Sequence, residues 1–336
     1  MCGIAGFYHR EKNYEKDGAY YRTILTSMHE KLQRRGPDDA GIYLRGHCGL
    51  SHSRLSIIDL SGGHQPMVRK RGDRTCAIVY NGELYNTKEL RRELEEKGWK
   101  FQTSCDTEVI LLGFMEYGPQ IAVRLNGIFA FAILEEQEEM IYLFRDPMGV
   151  KPLFYMKKDH EFIFASELKA ILEHPAVNPE LDREGLNEIF GIGPARTPGV
   201  GVLRGMREVC PGEYVTYGRR RALQRKSYWK LESYPHTDSY ERTIETVSEL
   251  VQDSIRRQMV SDVPICTFLS GGVDSSLVSA VCAAELKKQG KQLTTFSFDF
   301  VDNQKNFKAN AFQPSQDRPY VEKMAAYLGS DHHFLE

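Results

Sequence analysis

The sequence has no long apolar run, no regular cysteine spacing and no excess of charge of one sign. Its longest uninterrupted apolar run covers residues 128–134, far short of the ~18 residues that a membrane-spanning helix needs. No basic flank followed by an apolar stretch marks a secretory signal at the start. The 44 basic and 46 acidic residues give a net charge of −2. This balance predicts neither a nucleic-acid partner nor a membrane partner.

The cysteines also exclude a class of small secreted proteins. There are 7 of them, an odd number, and no Cys-x-x-Cys pair occurs. Neither a disulfide framework nor a structural zinc site fits this pattern, so a reducing, cytoplasmic location is predicted. His332 and His333 lack partners at ligand spacing, and no metal-ligating set of side chains is predicted.

The length of 336 residues suggests two domains. Residues 1–231 contain strand-like runs with a few helical patterns, and residues 232–239 are predicted to be a linker. Residues 240–336 begin with a helical pattern and continue as strand 265–269, helix 275–288, strand 293–300 and helix 320–328. This alternation is typical of a parallel α/β sheet. Two strands and the start of a third are few for such a sheet, so this second domain is expected to be truncated or completed by another chain.

Three local features are predicted in the first domain. Asn86 and Glu89 have the spacing of a capping box for a helix that carries Leu90 and Leu94. Asp106 is placed to cap a second helix over residues 109–117. Residues 213–217 and 228–231 are predicted to pair as a hairpin.

Cys2 follows the initiator methionine directly. Removal of Met1 is expected because cysteine is small, and it would leave Cys2 with a free α-amine. Such an amine titrates near ~7.7–8.0, so at neutral pH part of it is able to take the thiol proton. Nucleophile and base would then sit on one residue. From its position alone, however, Cys2 is better explained as an ordinary second residue.

Five segments resemble class II glutamine amidotransferases in order and spacing. They are residues 1–7 (MCGIAGF), 34–38 (RRGPD), 53–59 (SRLSIID), 80–86 (YNGELYN) and 145–153 (RDPMGVKPL). Taken singly, parts of these segments have ordinary explanations: Asn81-Gly82 is a common turn, Asp106 a helix cap and Arg54 a surface charge. The five together identify the first domain as a member of this family.

The resemblance implies a role for each matching residue. Cys2 would attack the glutamine side-chain amide to form a thioester that water hydrolyses to glutamate. The Asn81 side chain and the Gly82 N–H would form the oxyanion hole. The glutamine itself would be bound through its α-carboxylate by Arg54, through its α-ammonium by Glu83 and Asp106, and by the backbone of Leu55, Ser56, Ile57 and Ile58.

A glycine-rich loop lies between the predicted strand 265–269 and the helix that follows. The run Ser270-Gly271-Gly272-Val273-Asp274-Ser275-Ser276 lacks the Gly-Lys-Ser/Thr ending of a Walker A loop. It resembles instead the pyrophosphate loop of ATP-pyrophosphatases, in which backbone N–H groups and hydroxyls bind phosphate. By this resemblance ATP would contact Leu269, Ser270, Gly271, Gly272, Asp274, Ser275, Ser276 and Phe298, with Mg²⁺ neutralising the leaving pyrophosphate.

An amidotransferase followed by this loop resembles the family of glutamine-hydrolysing asparagine synthetases. The implied fold is an α+β N-terminal-nucleophile hydrolase domain, with two antiparallel sheets sandwiched by helices, followed by an incomplete α/β parallel-sheet ATP-pyrophosphatase domain. The implied reaction uses glutamine, aspartate and ATP: ATP adenylates aspartate, and ammonia displaces AMP to give asparagine. The family's downstream Ser-Gly-Glu-Gly-x-Asp-Glu segment does not occur in these residues, so the chain alone is expected to be only a glutaminase.

Other interpretations of the sequence stay open at this point. Another class II amidotransferase would share the first domain only, and the glycine-rich loop argues against it. A β-lactam-synthetase-like enzyme shares both halves but typically lacks the N-terminal cysteine. A non-catalytic remnant, a homodimer, or a subunit that needs a second chain is compatible with the short second domain, whose exposed sheet edge would then be the docking surface.

Overall fold

Two six-stranded antiparallel sheets form the first unit of the chain, Met1–Ser233. The computed structural model describes residues 1–311 and 314–336. The strands of this unit are β1 (Gly3–His9), β2 (Asp39–Arg45), β3 (Cys48–Arg54), β4 (Met67–Arg71), β5 (Arg74–Leu84), β6 (Gly127–Glu135), β7 (Met140–Arg145), β8 (Phe154–Lys158), β9 (Glu161–Ala165), β10 (Met206–Glu208), β11 (Glu213–Gly218) and β12 (Gln224–Ser227). The order is β10-β8-β9-β1-β3-β2 in the first sheet and β12-β11-β7-β6-β5-β4 in the second.

Three apolar clusters show that the two sheets are stacked between helices. The helices of this unit are α1 (Gly18–Glu30), α2 (Thr87–Glu96), α3 (Asp106–Tyr117), α4 (Leu168–Ile171) and α5 (Arg183–Asn187). One cluster joins residues of both sheets, a second joins α2 and α3 to the β5 side, and a third joins α1 and α4 to the β1 side. The unit therefore has the layers helix, sheet, sheet, helix, and the fold predicted for the first domain is confirmed.

Burial follows from these layers. Every residue of β1 is buried because sheet and helix cover its two faces. The helix α3 is buried over residues 106–115, whereas α2 buries only Leu90 and Leu94 and exposes charged side chains on its other face.

Both capping predictions are wrong in their contacts. Asn86 precedes α2 but makes no side-chain cap; its amide instead donates to the Arg124 carbonyl and accepts from the Asn126 N–H. Asp106 lies inside the first turn of α3, and its carboxylate is turned towards β5. In both cases a tertiary contact replaces the local hydrogen bond.

The predicted hairpin partner of β11 is also wrong. β11 pairs with Gln224–Ser227 rather than with residues 228–231. All four residues of β12 are exposed and polar, so this edge strand has no apolar alternation from which it could be predicted.

The second unit, Tyr234–Glu336, contains a parallel sheet. Its elements are α6 (Tyr240–Arg257), β13 (Cys266–Phe268), α7 (Val273–Lys288), β14 (Thr294–Phe298), α8 (Asn303–Asn306), α9 (Arg318–Leu328) and β15 (Asp331–Leu335). In the described residues of this unit the sheet has the order β13-β14-β15, and both pairs are parallel. The predicted parallel α/β arrangement is thus confirmed. No helix within the described ranges combines the length and apolar character needed to cross a membrane.

Candidate active site

Cys2 lies immediately before β1, with its side chain half-buried. Its Sγ accepts a hydrogen bond from the Leu55 N–H at 3.4 Å and lies 3.6 Å from the Leu55 carbonyl oxygen. Its own carbonyl oxygen accepts from Arg35 Nε at 2.8 Å, and Arg35 Nη1 pairs with Glu167 at 2.8 Å. These contacts hold the thiol against the backbone that follows β3.

Charges around Cys2 act on its thiol in opposite directions. Burial raises the pKa of the Cys2 thiol, and the Glu83 carboxylate acts in the same direction. The Leu55 N–H, the α-amine and Arg54 lower the thiol pKa. Burial also lowers the pKa of the Met1 α-amine, which makes the amine easier to deprotonate at neutral pH. This amine belongs to Met1, and removal of Met1 would leave the α-amine of Cys2 itself as the base.

The Asn81 side chain, on β5, is 1% exposed. Its Nδ2 is fully enclosed and has no hydrogen-bond partner in the part of the chain that the structure describes. A buried N–H group without an acceptor costs about 1–3 kcal/mol. The amide is therefore a donor ready for an acceptor that a bound molecule could supply.

The Gly82 N–H is free of the neighbouring strand. Gly82 lies opposite Phe129 of β6, and both backbone groups of Phe129 are bonded to Asp146 instead of Gly82. The Gly82 N–H therefore points away from β6, and β4 pairs with β5 only over residues 74–78. A Cβ atom at Gly82 would lie 2.4 Å from the Ile128 carbonyl oxygen, so a larger residue does not fit here.

Two acidic side chains, Asp106 and Glu83, are the next candidates for contact with a ligand. Asp106 is buried and accepts hydrogen bonds from the Tyr80 hydroxyl at 3.0 Å and the Leu84 N–H at 3.1 Å. Burial raises the pKa of Asp106. Burial and the charge of Asp106 raise the pKa of Glu83 to about 8, against the opposing effect of Lys151. Asp106 is thus already bonded within the protein, whereas no described residue hydrogen-bonds the Glu83 carboxylate.

The family resemblance implies that Glu83 would bind the α-ammonium of glutamine, and this expectation leads to a prediction about pH. A pKa of about 8 leaves Glu83 largely protonated at pH 7, and only its ionised form attracts an α-ammonium. We therefore expect KM for glutamine to fall as the pH rises from 6.5 to 8.5. Glu83→Gln should raise KM and remove this dependence, whereas the exposed Glu95→Gln should change neither. A pH-dependent KM retained in Glu83→Gln would contradict the assignment.

Arg54 is buried and already engaged with the loop that follows it. Its Nη1 donates to the Leu60 carbonyl at 3.2 Å, and its Nη2 donates to the carbonyls of Ile58 and Asp59 at 3.0 and 2.6 Å. A Cβ at Gly63 would lie 2.1 Å from Nη2, so the loop closes tightly over the guanidinium. Arg54 braces this loop, and the contacts among the described residues leave Nε and one Nη1 hydrogen for a ligand.

The loop that was predicted to line the glutamine pocket is next to the thiol. Leu55 contacts Cys2 directly, and the Ser56 N–H donates to Asp38 at 2.7 Å. Ile57 and Ile58 continue the loop and are half-buried. The structure therefore brings this loop, the thiol and Arg54 together.

Three further residues of the site belong to the quoted segments, but the sequence interpretation gave them no role. Arg35 binds the Cys2 carbonyl. Asp146 accepts N–H bonds from Phe129 and Lys151, and Lys151 is 8% exposed. All three lie in turns or loops outside the strands, and the signal that could have found them is their place within two of the five family-like segments.

The glycine-rich loop in the second unit is held by its own hydroxyls. Ser275 Oγ lies 2.9 Å from Ser270 Oγ and accepts from the Ser270 N–H at 3.2 Å. Gly271 has φ +77°, and a Cβ there would lie 2.7 Å from Tyr320 Cβ. The loop leads into α7, whose N-cap Gly272 adds no side-chain bond. Gly272 therefore does not cap the first N–H groups of α7, and N–H groups at the start of a helix can bind an anion.

A pocket of about 410 Å³ opens beside this loop, at the carboxyl ends of β13 and β14. Ligands of parallel α/β sheets commonly bind at this end. Among the residues predicted to contact ATP, three line the pocket: Leu269, Ser270 and Phe298. In the described part of the unit the pocket wall does not include Gly271, Gly272, Asp274, Ser275 or Ser276. Further lining comes from Phe268, Phe296, Asp299, Phe300, Asp317 and Arg318.

Comparisons with known proteins agree with this division. A family model of the glutamine amidotransferase domain matches residues 1–229, and one of asparagine synthase matches residues 246–336. Asparagine synthetase [glutamine-hydrolyzing] 3 of Bacillus subtilis is 44% identical over 99% of this chain and 54% of its own length. Putative asparagine synthetase [glutamine-hydrolyzing] 2 of Methanocaldococcus jannaschii is 32% identical over 99% and 64%, respectively. The chain spans about half the length of the curated relatives it matches.

A solved structure shares the fold. Glutamine phosphoribosylpyrophosphate amidotransferase of B. subtilis superposes with a TM-score of 0.51 at 16% identity, over 100% of this chain and 91% of that one. At this identity the likeness is one of fold alone. The family models and the relatives together show that the chain belongs to the glutamine amidotransferase family and, within it, to the glutamine-hydrolysing asparagine synthetases.

Proposed function

We propose that these residues hydrolyse glutamine to glutamate and ammonia, with Cys2 as the nucleophile. The observation that carries the proposal is the thiol held against Leu55, in a unit whose enclosed Asn81 amide has no acceptor among the residues that the structure describes. A tetrahedral oxyanion is the acceptor that such a donor lacks. The B. subtilis relative is named as glutamine-hydrolysing, which supports the same substrate.

The proposed reaction begins after Met1 is removed, when Cys2 carries the free α-amine. The amine takes the thiol proton, and the thiolate attacks the carboxamide carbon of glutamine. The Asn81 amide and the Gly82 N–H hold the resulting oxyanion. As the intermediate collapses, the ammonium returns a proton to the leaving nitrogen, and ammonia departs. Water then attacks the thioester, which releases glutamate and the thiol.

We propose that Glu83 binds the α-ammonium of glutamine and that Asp106 supports it by its negative charge. The support is that Glu83 has no hydrogen-bond partner among the described residues, whereas Asp106 is fixed by Tyr80 and Leu84. For Arg54 we propose contact with the α-carboxylate through the donors that the loop carbonyls leave free. Leu55, Ser56, Ile57 and Ile58 would line the pocket by their backbone.

The decisive experiment is an assay of glutamate release by the full purified chain, with its intact mass recorded. Glutamate release from protein that has lost Met1 is expected. A folded chain with a processed N-terminus that releases none would contradict the proposal. The same assay with aspartate, ATP and Mg²⁺ measures asparagine, the product for which the longer relatives are named.

For the second unit we propose ATP as the substrate of the pocket beside the glycine-rich loop, with Mg²⁺ entering on its phosphates. Leu269 and Phe298 would contact the adenosine, while Ser270, Gly271, Gly272, Asp274, Ser275 and Ser276 would surround the phosphates. The pocket's aromatic wall and the uncapped start of α7 support this placement. Aspartate would be the adenylated partner, as in the whole family reaction.

Ser275→Ala tests the phosphate loop. It removes the hydroxyl that bonds Ser270, so Mg-ATP binding measured by calorimetry should weaken by about tenfold, or 1.4 kcal/mol. Ser254→Ala, an exposed serine of α6, is the matched control. Wild-type chain that binds no Mg-ATP at millimolar concentration would contradict the ATP assignment and leave the glutaminase proposal intact.

The remaining proposals concern organisation. We propose that residues 232–239 are a linker and that the protein is cytoplasmic, as the unpaired cysteine pattern suggests. A homodimer or a second chain is proposed because α6 exposes Ile244, Val247 and Leu250. Light scattering distinguishes a monomer from either assembly.

A further inference from the structure

The proposed site is assembled from both sheets of the first unit. Cys2 lies at the start of β1, and the Leu55 N–H that contacts its thiol directly follows β3, a neighbour of β1 in the first sheet. The candidate oxyanion donors Asn81 and Gly82 lie on β5 of the second sheet. The distance between the nucleophile and these donors therefore depends on how the two sheets are held together.

A buried histidine, His52, links the two sheets next to these donors. It lies on β3 and is 1% exposed. Its Nε2 lies 2.9 Å from the carbonyl oxygen of Tyr80, the residue that precedes Asn81 on β5. A carbonyl oxygen only accepts, so Nε2 carries the ring hydrogen and donates it. The other nitrogen, Nδ1, is fully enclosed and has no hydrogen-bond partner among the described residues, so the bond to Tyr80 is the polar contact that the ring makes with them.

Tyr80 lies on β5 beyond the point where its pairing with β4 ends. β4 pairs with β5 only over residues 74–78. Tyr80 lies two residues before Gly82, so by the alternation of the ladder its N–H and carbonyl also point away from β6. The carbonyl accepts from His52, and the N–H donates to Gln65 Oε1 at 2.6 Å. Two buried side chains thus hold the backbone of Tyr80 where no strand does.

This row of side-chain bonds is interrupted at Gly82. The Leu84 N–H, two residues further on, donates to the Asp106 carboxylate at 3.1 Å. Among the described residues, no side chain accepts from the Gly82 N–H that lies between Tyr80 and Leu84. The protein therefore bonds the strand edge on both sides of Gly82 and leaves that N–H for a ligand. Its position is set by the bonds that hold its two neighbours.

We propose that His52 is a positioning residue, which sets the distance between the Cys2 thiol and the oxyanion donors by bonding the Tyr80 carbonyl. This inference rests on the proposed glutaminase for its catalytic meaning, whereas the bond itself exists with or without turnover. In the reaction His52 exchanges no proton and does not contact glutamine. Burial lowers the pKa of His52 to about 4, so the ring is a neutral donor at neutral pH.

Glutamine kinetics of His52 variants test this role. His52→Phe fills a similar volume but cannot donate, so kcat for glutamate release should fall by ~10- to 100-fold, the scale expected when reacting groups are misplaced, with little change in KM. His52→Gln keeps a donor near the position of Nε2 and should restore most of kcat. His174→Phe, which removes another buried imidazole, should leave kcat unchanged. Wild-type kcat in His52→Phe, or no recovery in folded His52→Gln, would overturn the inference.

The alkylation rate of Cys2 by iodoacetamide separates the donors from the nucleophile. In folded His52→Phe this rate, followed by peptide mass on the full chain, should equal that of the wild type, because the contact between the thiol and Leu55 is retained. An alkylation rate that falls as much as kcat would place the defect at the nucleophile and overturn the inference.

Hydrogen exchange decides the role even when no glutamate is released, a result that would refute the proposed function alone. In folded His52→Phe, the backbone amides of residues 79–84 should exchange faster than in the wild type, because the Tyr80 carbonyl has lost its donor. His52→Gln should restore their protection, and His174→Phe should leave it unchanged. Exchange in His52→Phe at the wild-type rate would show that His52 does not hold this segment.

The unmutated ring covers the case in which His52→Phe fails to fold. In wild-type protein with ¹⁵N-labelled histidine, the His52 resonances are identified by their absence from His52→Gln. They should show a neutral ring with its hydrogen on Nε2 from pH 6 to 8. A hydrogen on Nδ1 instead would overturn the inference, because Nε2 could then not donate to the Tyr80 carbonyl.

Discussion

Replacing Cys2 with alanine is expected to abolish glutamate release, with a loss of more than about 10⁴-fold, the scale seen when a covalent nucleophile is removed. The carboxamide of glutamine is a poor electrophile, and the proposed nucleophile is the Cys2 Sγ, which lies 3.4 Å from the Leu55 N–H. The rate is measured as glutamate formed by full-length protein at pH 8. Alanine is as small as cysteine, so Met1 processing should be unchanged, and intact mass verifies it.

Cys266→Ala is the matched control because Cys266 is an exposed free cysteine in the second unit. It should retain wild-type glutaminase activity. Equal thermal midpoints for both variants would show that Cys2→Ala is folded. Glutamate release by folded Cys2→Ala at more than a hundredth of the wild-type rate would mean that another group attacks glutamine.

Several strands and helices of the first unit could be predicted from patterns that the chain carries locally, whereas their layered arrangement was implied by the family resemblance. The apolar hairpin of β6 and β7 and the helices with one buried face follow from spacing alone. The edge strand β12 could not, because its residues are exposed and only pairing with β11 makes them a strand. Asn86 and Asp106 have cap-forming side chains, but partners distant in sequence bind them more favourably.

The candidate site could likewise be predicted from the sequence only in part. The segments that surround the thiol are recognisable in the sequence, and the structure brings Leu55 and Arg35 to Cys2. The engagement of Arg54 with three loop carbonyls could not be predicted, because it depends on how the loop closes. The burial of Lys151 is likewise a property of the fold, since burial is not written in the local sequence.

The enclosed amide of Asn81 leads to a prediction that separates catalysis from stability. Asn81→Ala should lower kcat for glutamate release by about 10²–10³-fold, as expected for one oxyanion donor. KM should change little, because the donor meets its full negative charge only in the transition state. Its Nδ2 has no partner within the described residues, so removing it sacrifices no protein hydrogen bond, and the thermal midpoint should be equal or higher. Functional sites commonly carry such a stability cost.

The control for this change is Asn178→Ala, at an exposed position, which should affect neither kcat nor the thermal midpoint. A raised KM with unchanged kcat would place Asn81 in ground-state binding and leave Gly82 as the single oxyanion donor. A fall in the thermal midpoint of several degrees with normal kcat would make Asn81 a structural residue. Only the combination of a large kcat loss with undiminished stability fits a donor that the fold keeps unpaired for a reacting oxygen.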